Sequence, residues 1–105
     1  MTTATLLVTD VEHLGEVVGL LREAAADLGC GLTVRNLAGD EVDEAETAAA
    51  ARRDRERKRL PIPVRVDLHA LSDGPVDAEA VLRGARARGL RGGATVDEVR
   101  RTTKR

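Results

Sequence analysis

The segment "VRVDLHAL", residues 64–71, carries the side chains best suited to chemistry. Its Asp67 and His69 are two residues apart, so in a strand they lie on one face, about 6.6 Å apart along the backbone. A carboxylate beside an imidazole can work as a general acid and base when a pocket shifts their pKa values. No nucleophile stands at a known spacing from them, and together with Arg65 they also fit a solvated polar row. Asp67 and His69 are therefore weak candidates for catalytic residues.

The charged side chains divide the chain into two unlike halves. Residues 1–51 hold two basic and ten acidic side chains, a sum of −8, and residues 52–105 hold fifteen basic and eight acidic ones, a sum of +7. Such asymmetry favours either a polyanionic partner or pairing of the two halves, within one chain or across a homodimer. The possible polyanion-binding residues are the C-terminal cations Arg83, Arg86, Arg88, Arg91, Arg100, Arg101, Lys104 and Arg105.

The lack of aromatic residues bears on both kinds of partner. The chain has no Phe, Tyr or Trp, so no side chain can stack on a nucleic-acid base as an aromatic ring does. The core has to be built from Val, Leu, Ile and Ala, which bury less area per residue than aromatic side chains. A thin core leaves apolar surface that a second copy could cover. We therefore expect a homodimer or a protein partner, with nucleic acid as the alternative.

The remaining composition argues against several common chemistries. Cys30 is the single cysteine and only two histidines are present, which is too few ligands for a structural zinc site and excludes an intrachain disulfide. Cys30 lies between two glycines and is expected to be a small apolar residue at the start of a strand. We expect no metal and no cofactor. With no secretory leader and no apolar run of about 18 residues, the sequence predicts a cytoplasmic protein that does not associate with membranes.

Apolar periodicity predicts the elements that would position these residues. The run "ATLLVT", residues 4–9, is typical of a central strand. A helix with one apolar stripe follows, begun either by a capping box of Thr9 and Glu12 or by Asp10, and ended by Gly29. The stripe consists of Leu14, Val18, Leu21, Ala25 and Leu28.

Two further strands and a second helix follow the same logic. Residues 32–37 predict a second strand, parallel to the first if the two share a sheet. A third strand starts at Ile62 and alternates up to Ala70, which suits burial on one face. Asp77 begins a helix that Gly89 ends. The inner face of the third strand would be formed by Ile62, Val64, Val66, Leu68 and Ala70.

The rest of the chain has no strong apolar face. Residues 40–60 combine alanines with an acidic block and a basic block, which favours a charged helical or flexible insertion that buries little area. Residues 95–99 fit either a short strand or a short helix, and residues 100–105 form a basic tail. We predict one domain over residues 1–105.

Two architectures fit this order of elements. The first is a ferredoxin-like βαββαβ two-layer sandwich of the α/β (α+β) class, with residues 40–60 inserted between the second and third strands. The second is a thioredoxin-like βαβαβα fold without a Cys-x-x-Cys motif, with the charged segment as its second helix. The first explains why the charged segment lacks an apolar face, and the second explains its helix propensity. We prefer the first.

The sequence supports functions of three classes. We expect a small non-enzymatic binding or regulatory module that acts through self-association or a protein partner, because no catalytic constellation accompanies the thin core and the divided charge. A nucleic-acid-associated protein that uses the C-terminal cations is the first alternative. The second alternative is an enzyme of unknown type that uses the face bearing Asp67 and His69.

Overall fold

The strands, which alternate with helices along the chain, form one sheet, and the helices pack against one of its faces. The computed structural model describes residues 3–71 and 75–96. Over these residues the chain is a single mixed α/β domain with three α-helices and a four-stranded antiparallel sheet. The strands are β1 (Thr3–Val8), β2 (Cys30–Arg35), β3 (Val64–Ala70) and β4 (Ala94–Val96), and the helices are α1 (Leu14–Asp27), α2 (Glu44–Glu56) and α3 (Ala78–Ala87).

The order of the strands puts β3 and β1 in the middle of the sheet. The order is β2-β3-β1-β4, and each pair of neighbours is antiparallel. β1 and β2 therefore run in the same direction, as expected, but β3 lies between them and pairs with both. The register places Asp67 of β3 opposite Thr5 of β1 on one side and opposite Thr33 of β2 on the other.

The alternation of β3 decides which face of the sheet is buried. Successive side chains of a strand point to opposite faces, and Val64, Val66 and Leu68 are buried against the helices. Arg65 and Asp67 point to the opposite face, where both are half-buried. The predicted one-sided burial of this strand is confirmed.

Two strand boundaries differ from the prediction. β3 starts at Val64 rather than at Ile62, whose side chain is 67% exposed, because a proline on either side of Ile62 has no N–H for a strand ladder. β2 covers Cys30–Arg35 rather than residues 32–37. The chain leaves β2 at Asn36, whose side-chain oxygen accepts a hydrogen bond from the backbone N–H of Asp40 at 3.0 Å and closes a turn.

The first helix begins differently from the predicted capping box. Thr9 donates its backbone N–H to the carbonyl of Gly93 at 2.7 Å, so it continues the sheet instead of capping a helix. A 3₁₀ turn over Val11–His13 then leads into α1, and the side chain of Asp10 makes no capping hydrogen bond. The capping box of Thr9 and Glu12 is therefore wrong, whereas Asp10 does occupy the N-cap position of the 3₁₀ turn, although its side chain accepts no capping hydrogen bond.

The predicted apolar stripe of α1 is correct up to Ala25. Leu14, Val18, Leu21 and Ala25 are buried. Leu28 is 50% exposed, because α1 ends at Asp27 and the backbone has left the helical path. Gly29 follows with φ +74°, the left-handed conformation that glycine adopts after a helix end.

The charged segment contains helix α2. Asp43 begins the helix by accepting a hydrogen bond from the N–H of Glu46 at 3.0 Å. In keeping with the expectation that no face of this segment buries much area, the buried residues of α2 are two alanines, Ala48 and Ala51, where the helix packs against the start of α1. Small side chains permit this close approach, but they bury little area. The mobility of residues 40–60 stays a prediction.

The predicted start of α3 at Asp77 and its predicted end at Gly89 are confirmed. The carboxylate of Asp77 accepts hydrogen bonds from the N–H groups of Glu79 and Ala80, both at 3.1 Å. At the other end Gly89 has φ +121°, and Leu90 donates its N–H to the carbonyl of Ala85 at 3.0 Å, as in a Schellman motif. Residues 94–96 then form a strand, whereas the basic tail at 100–105 lies outside the described residues.

Leu21 gives a direct test of where the core lies. Its side chain is fully buried at the middle of α1, so Leu21→Ala should lower the free energy of unfolding by about 2–4 kcal/mol through lost burial and a residual cavity. Leu28→Ala, at the residue that follows the end of the same helix, is the matched control and should change the free energy of unfolding by less than about 1 kcal/mol. Chemical denaturation of both variants measures the difference. Equal effects would contradict the assignment of the core face.

Candidate functional site

Asp67 lies at the centre of the open face, the face of the sheet opposite the helices. None of the described helices covers this face. Because β3 is paired on both sides, side chains from three strands converge around Asp67. The described side chains of the open face include Thr5 and Leu7 of β1, Thr33 and Arg35 of β2, and Arg65, Asp67 and His69 of β3.

The carboxylate of Asp67 is shared by three donors. Arg65, two residues along β3, brings its Nη2 to 3.1 Å from Oδ2. Arg35 of β2 places its Nε 3.2 Å from the same oxygen. Thr5 of β1 donates its hydroxyl to Oδ1 at 3.0 Å. We call these four residues the Asp67 network.

This arrangement leaves Asp67 poorly suited to acid–base catalysis. A general base needs an oxygen that can reach a substrate proton, and both oxygens of Asp67 already accept hydrogen bonds from Thr5 or arginine. Within the described residues no hydrogen bond joins Asp67 to His69. The structure therefore brings one of the two candidate residues into an ion-pair network and leaves the other outside it.

His69 lies over the edge strand β2. It is exposed and stands opposite Gly31 in the register. A Cβ built on Gly31 would be only 2.7 Å from Nε2 of His69, so the imidazole occupies the space that a side chain at residue 31 would need. The absence of a side chain at Gly31 allows this position of the ring.

Sequence reasoning missed Thr5 and Arg35 as partners of Asp67. The alternation of β2 does put Arg35 on the outer face, but a single sequence does not specify which strands become neighbours. The shared contacts of Asp67 can be seen only once the strand pairing is known, because Thr5 lies on the neighbouring strand β1 and Arg35 on the neighbouring strand β2.

The Asp67 network carries more positive than negative charge. Two guanidinium groups share one carboxylate, and Nε of Arg65 is buried without an acceptor among the described residues. A charged donor that is removed from water without an acceptor is unfavourable. The open face is consequently a surface with an excess cation and an unmatched donor at its centre.

The C-terminal cations are placed in more than one environment. Arg83 and Arg86 are exposed on α3. Arg88 pairs with Asp27 and approaches Glu23 to 3.7 Å, both on α1, so its charge is offset within the chain. Arg91 lies outside α3, in the loop before β4. The other four cations of this set, Arg100, Arg101, Lys104 and Arg105, lie outside the described residues.

Arg91 lines an open groove between the loop after β1 and the loop before β4. The groove has a volume of about 400 Å³ and is also lined by Asp10, His13 and Glu16. Nδ1 of His13 lies 3.0 Å from a carboxylate oxygen of Asp10. This hydrogen bond and the charge of Asp10 raise the pKa of His13 above its usual 6.5, with smaller contributions from Glu16 and Glu12.

The described residues offer few other sites. Over residues 3–71 and 75–96 no three side chains of His, Cys, Asp or Glu come together as they would around a metal ion. In the same part of the chain, no helix combines the length and the apolar composition that crossing a bilayer requires.

Comparison with protein-family models, with curated proteins and with solved structures gave no match.

Asp67→Asn tests the network at its centre. The substitution keeps the shape of the side chain but leaves two guanidinium groups without a counter-charge, so it should lower the free energy of unfolding by about 1–2 kcal/mol. Asp40→Asn is the matched control, because Asp40 is exposed in a turn, and it should change stability by less than about 0.5 kcal/mol. Denaturant titration compares the two. If Asp67→Asn left the free energy of unfolding unchanged, the network would not be formed in solution.

The pair of His13 and Asp10 predicts a pH dependence with a definite sign. Because the pKa of His13 is raised in the folded state, its stabilising effect is complete below the unfolded-state value of about 6.5 and is lost as pH rises through the folded-state pKa. Titration of the imidazole resonances by NMR should give a pKa above 6.5 that falls in Asp10→Asn. An unchanged value in that variant would show that Asp10 is not the cause.

Proposed function

We propose that this protein is a small non-enzymatic binding module that acts through self-association or a protein partner. The observation that carries the proposal is the Asp67 network: Arg35, Arg65 and Thr5 occupy the carboxylate that acid–base chemistry would use. The same network gives the open face an excess of positive charge. Such a face suits recognition of a surface with complementary charge better than catalysis.

We infer that the fold is ferredoxin-like, with α2 as an insertion between β2 and β3. The order β2-β3-β1-β4 with antiparallel neighbours supports this. A crossover helix in a βαβ unit joins parallel strands, whereas α2 connects two antiparallel neighbours. The thioredoxin-like alternative, in which the charged helix is such a crossover, is therefore less well supported.

The positions of the charges favour pairing within the protein over a nucleic-acid function. Arg55 on α2 lies 3.2 Å from Glu12, and Arg88 pairs with Asp27. Both are contacts between the basic half of the chain and the acidic half. Cations that are offset in this way contribute little to phosphate binding. A nucleic-acid-associated protein and an enzyme remain the alternatives.

Light scattering during size-exclusion chromatography tests the proposal. At about 0.05 M salt the protein should have a mass above that of one chain, and at about 0.5 M salt self-association should weaken or the melting temperature should fall, because exposed charge pairs are screened. A monomer with a melting temperature that does not fall with salt, together with duplex DNA binding that weakens steeply with salt, would replace this function by the nucleic-acid alternative.

A further inference from the structure

We propose that the open face binds an acidic segment of a protein partner, with one carboxylate of that segment held between Arg35 and Arg65. The inference names the chemistry of the partner and rests on the function proposed above. Arg35 of β2 and Arg65 of β3 are directly opposite each other in the register. Opposed residues on one face have Cβ atoms about 5 Å apart, and like charges in that position repel each other.

One carboxylate is shared by both arginines. Oδ2 of Asp67 lies 3.2 Å from Nε of Arg35 and 3.1 Å from Nη2 of Arg65. Two positive groups therefore meet one negative group. In the other arginine ion pairs of the described residues, one arginine meets one or two carboxylates. The pair of Arg35 and Arg65 differs from them because it lacks a second carboxylate.

The ends of the two guanidinium groups retain donors for an added anion. Nη1 of Arg35 donates to the carbonyl of Gly39 at 2.9 Å, but Nη2 of Arg35 and Nη1 of Arg65 make no hydrogen bond to a described residue. The two side chains keep 34% and 19% of their exposure to solvent, so both remain accessible to a partner. Nε of Arg65 is buried and contributes charge but no contact. A guanidinium group can bind a carboxylate through two parallel hydrogen bonds.

The surroundings of the two arginines favour a protein carboxylate over a nucleic-acid backbone. Leu7 of β1 is half-buried opposite Arg65, and Thr33 of β2 is opposite Asp67, so apolar and uncharged groups flank the cations. Binding to a phosphate backbone needs several unopposed cations, and here the carboxylate of Asp67 lies within 3.2 Å of both arginines. A single Asp or Glu side chain with apolar neighbours suits this surface better.

A different protein fits this face better than a second copy does. In a two-fold interface one patch meets itself, so a dimer through the open face would bring Arg35 and Arg65 of one copy against the same pair of the other. Each copy would add two cations and only one carboxylate to the contact. A partner of opposite charge instead reduces the repulsion between the two arginines and is steered towards them.

NMR titration of the complete chain with a capped tetraglutamate peptide tests the site without any substitution. At constant ionic strength the Nε–Hε resonances of Arg35 and Arg65 should shift as the peptide is added, and the shifts should saturate with a dissociation constant in the millimolar range. Capped tetraglutamine has the same length and no charge, so it is the control peptide and should leave both resonances in place. If tetraglutamate shifts neither resonance, or if tetraglutamine shifts them equally, the site is overturned.

Arg35→Gln separates the position of the charge from the net charge of the protein. It removes one cation of the pair and should raise the dissociation constant for tetraglutamate by at least about fivefold. Arg83→Gln is the matched control, because Arg83 is exposed on α3, and it should change the constant by less than about twofold. Far-UV circular dichroism establishes that both variants are folded. Equal losses of binding in the two variants would overturn the site.

The outcomes separate this site from the proposed function. If tetraglutamate shifts neither arginine while light scattering shows self-association, the acidic-partner site is overturned and the proposed function stands. If Arg35→Gln abolishes self-association, the open face belongs to a second copy and the foreign partner is overturned. If duplex DNA shifts the two resonances at a lower concentration than tetraglutamate does, the acidic partner and the proposed function are both overturned.

Discussion

The one-sided burial of β3 is the constraint on which the other features depend. Val64, Val66 and Leu68 are buried against the helices, and the period of two then obliges Arg65 and Asp67 to face the other way. β3 also has a neighbour on each side. The polar face therefore receives side chains from β1 and β2 as well. Because the apolar residues of β3 are buried on one face, Asp67 lies on the other, where its carboxylate accepts hydrogen bonds from Arg35 and Arg65.

Periodicity predicted the parts of the fold that local sequence controls. The inner set of β3, the stripe of α1 up to Ala25 and the Asp77 cap follow from residue spacing alone. The start of α1 was missed because Thr9 is held by Gly93, a contact between residues far apart in sequence. The candidate site was half predicted: Asp67 is on the expected face, but its partners depend on strand order, which spacing does not encode.

The divided charge of the sequence has a local explanation in the structure. Glu12 with Arg55 and Asp27 with Arg88 join the two halves within one chain. The first pair links α2 to the 3₁₀ turn before α1, and the second links the residue after α3 to the end of α1. Individually these exposed pairs are weak. They nevertheless reduce the repulsion within each half, and the basic run at residues 52–59 contributes to this through Arg55, which pairs with Glu12 of the acidic half.

The strand order has a consequence for how the chain folds. β1 pairs Leu6 with Val66 on one side and with Val96 on the other, and β2 reaches β3 only after the whole of α2. No described pair of strands is joined by a tight hairpin. Loop entropy must therefore be lost before any part of the sheet is formed, which is the condition for slow folding at a given size. Helix α1 can form locally, whereas the two central strands meet only when distant parts of the chain have come together.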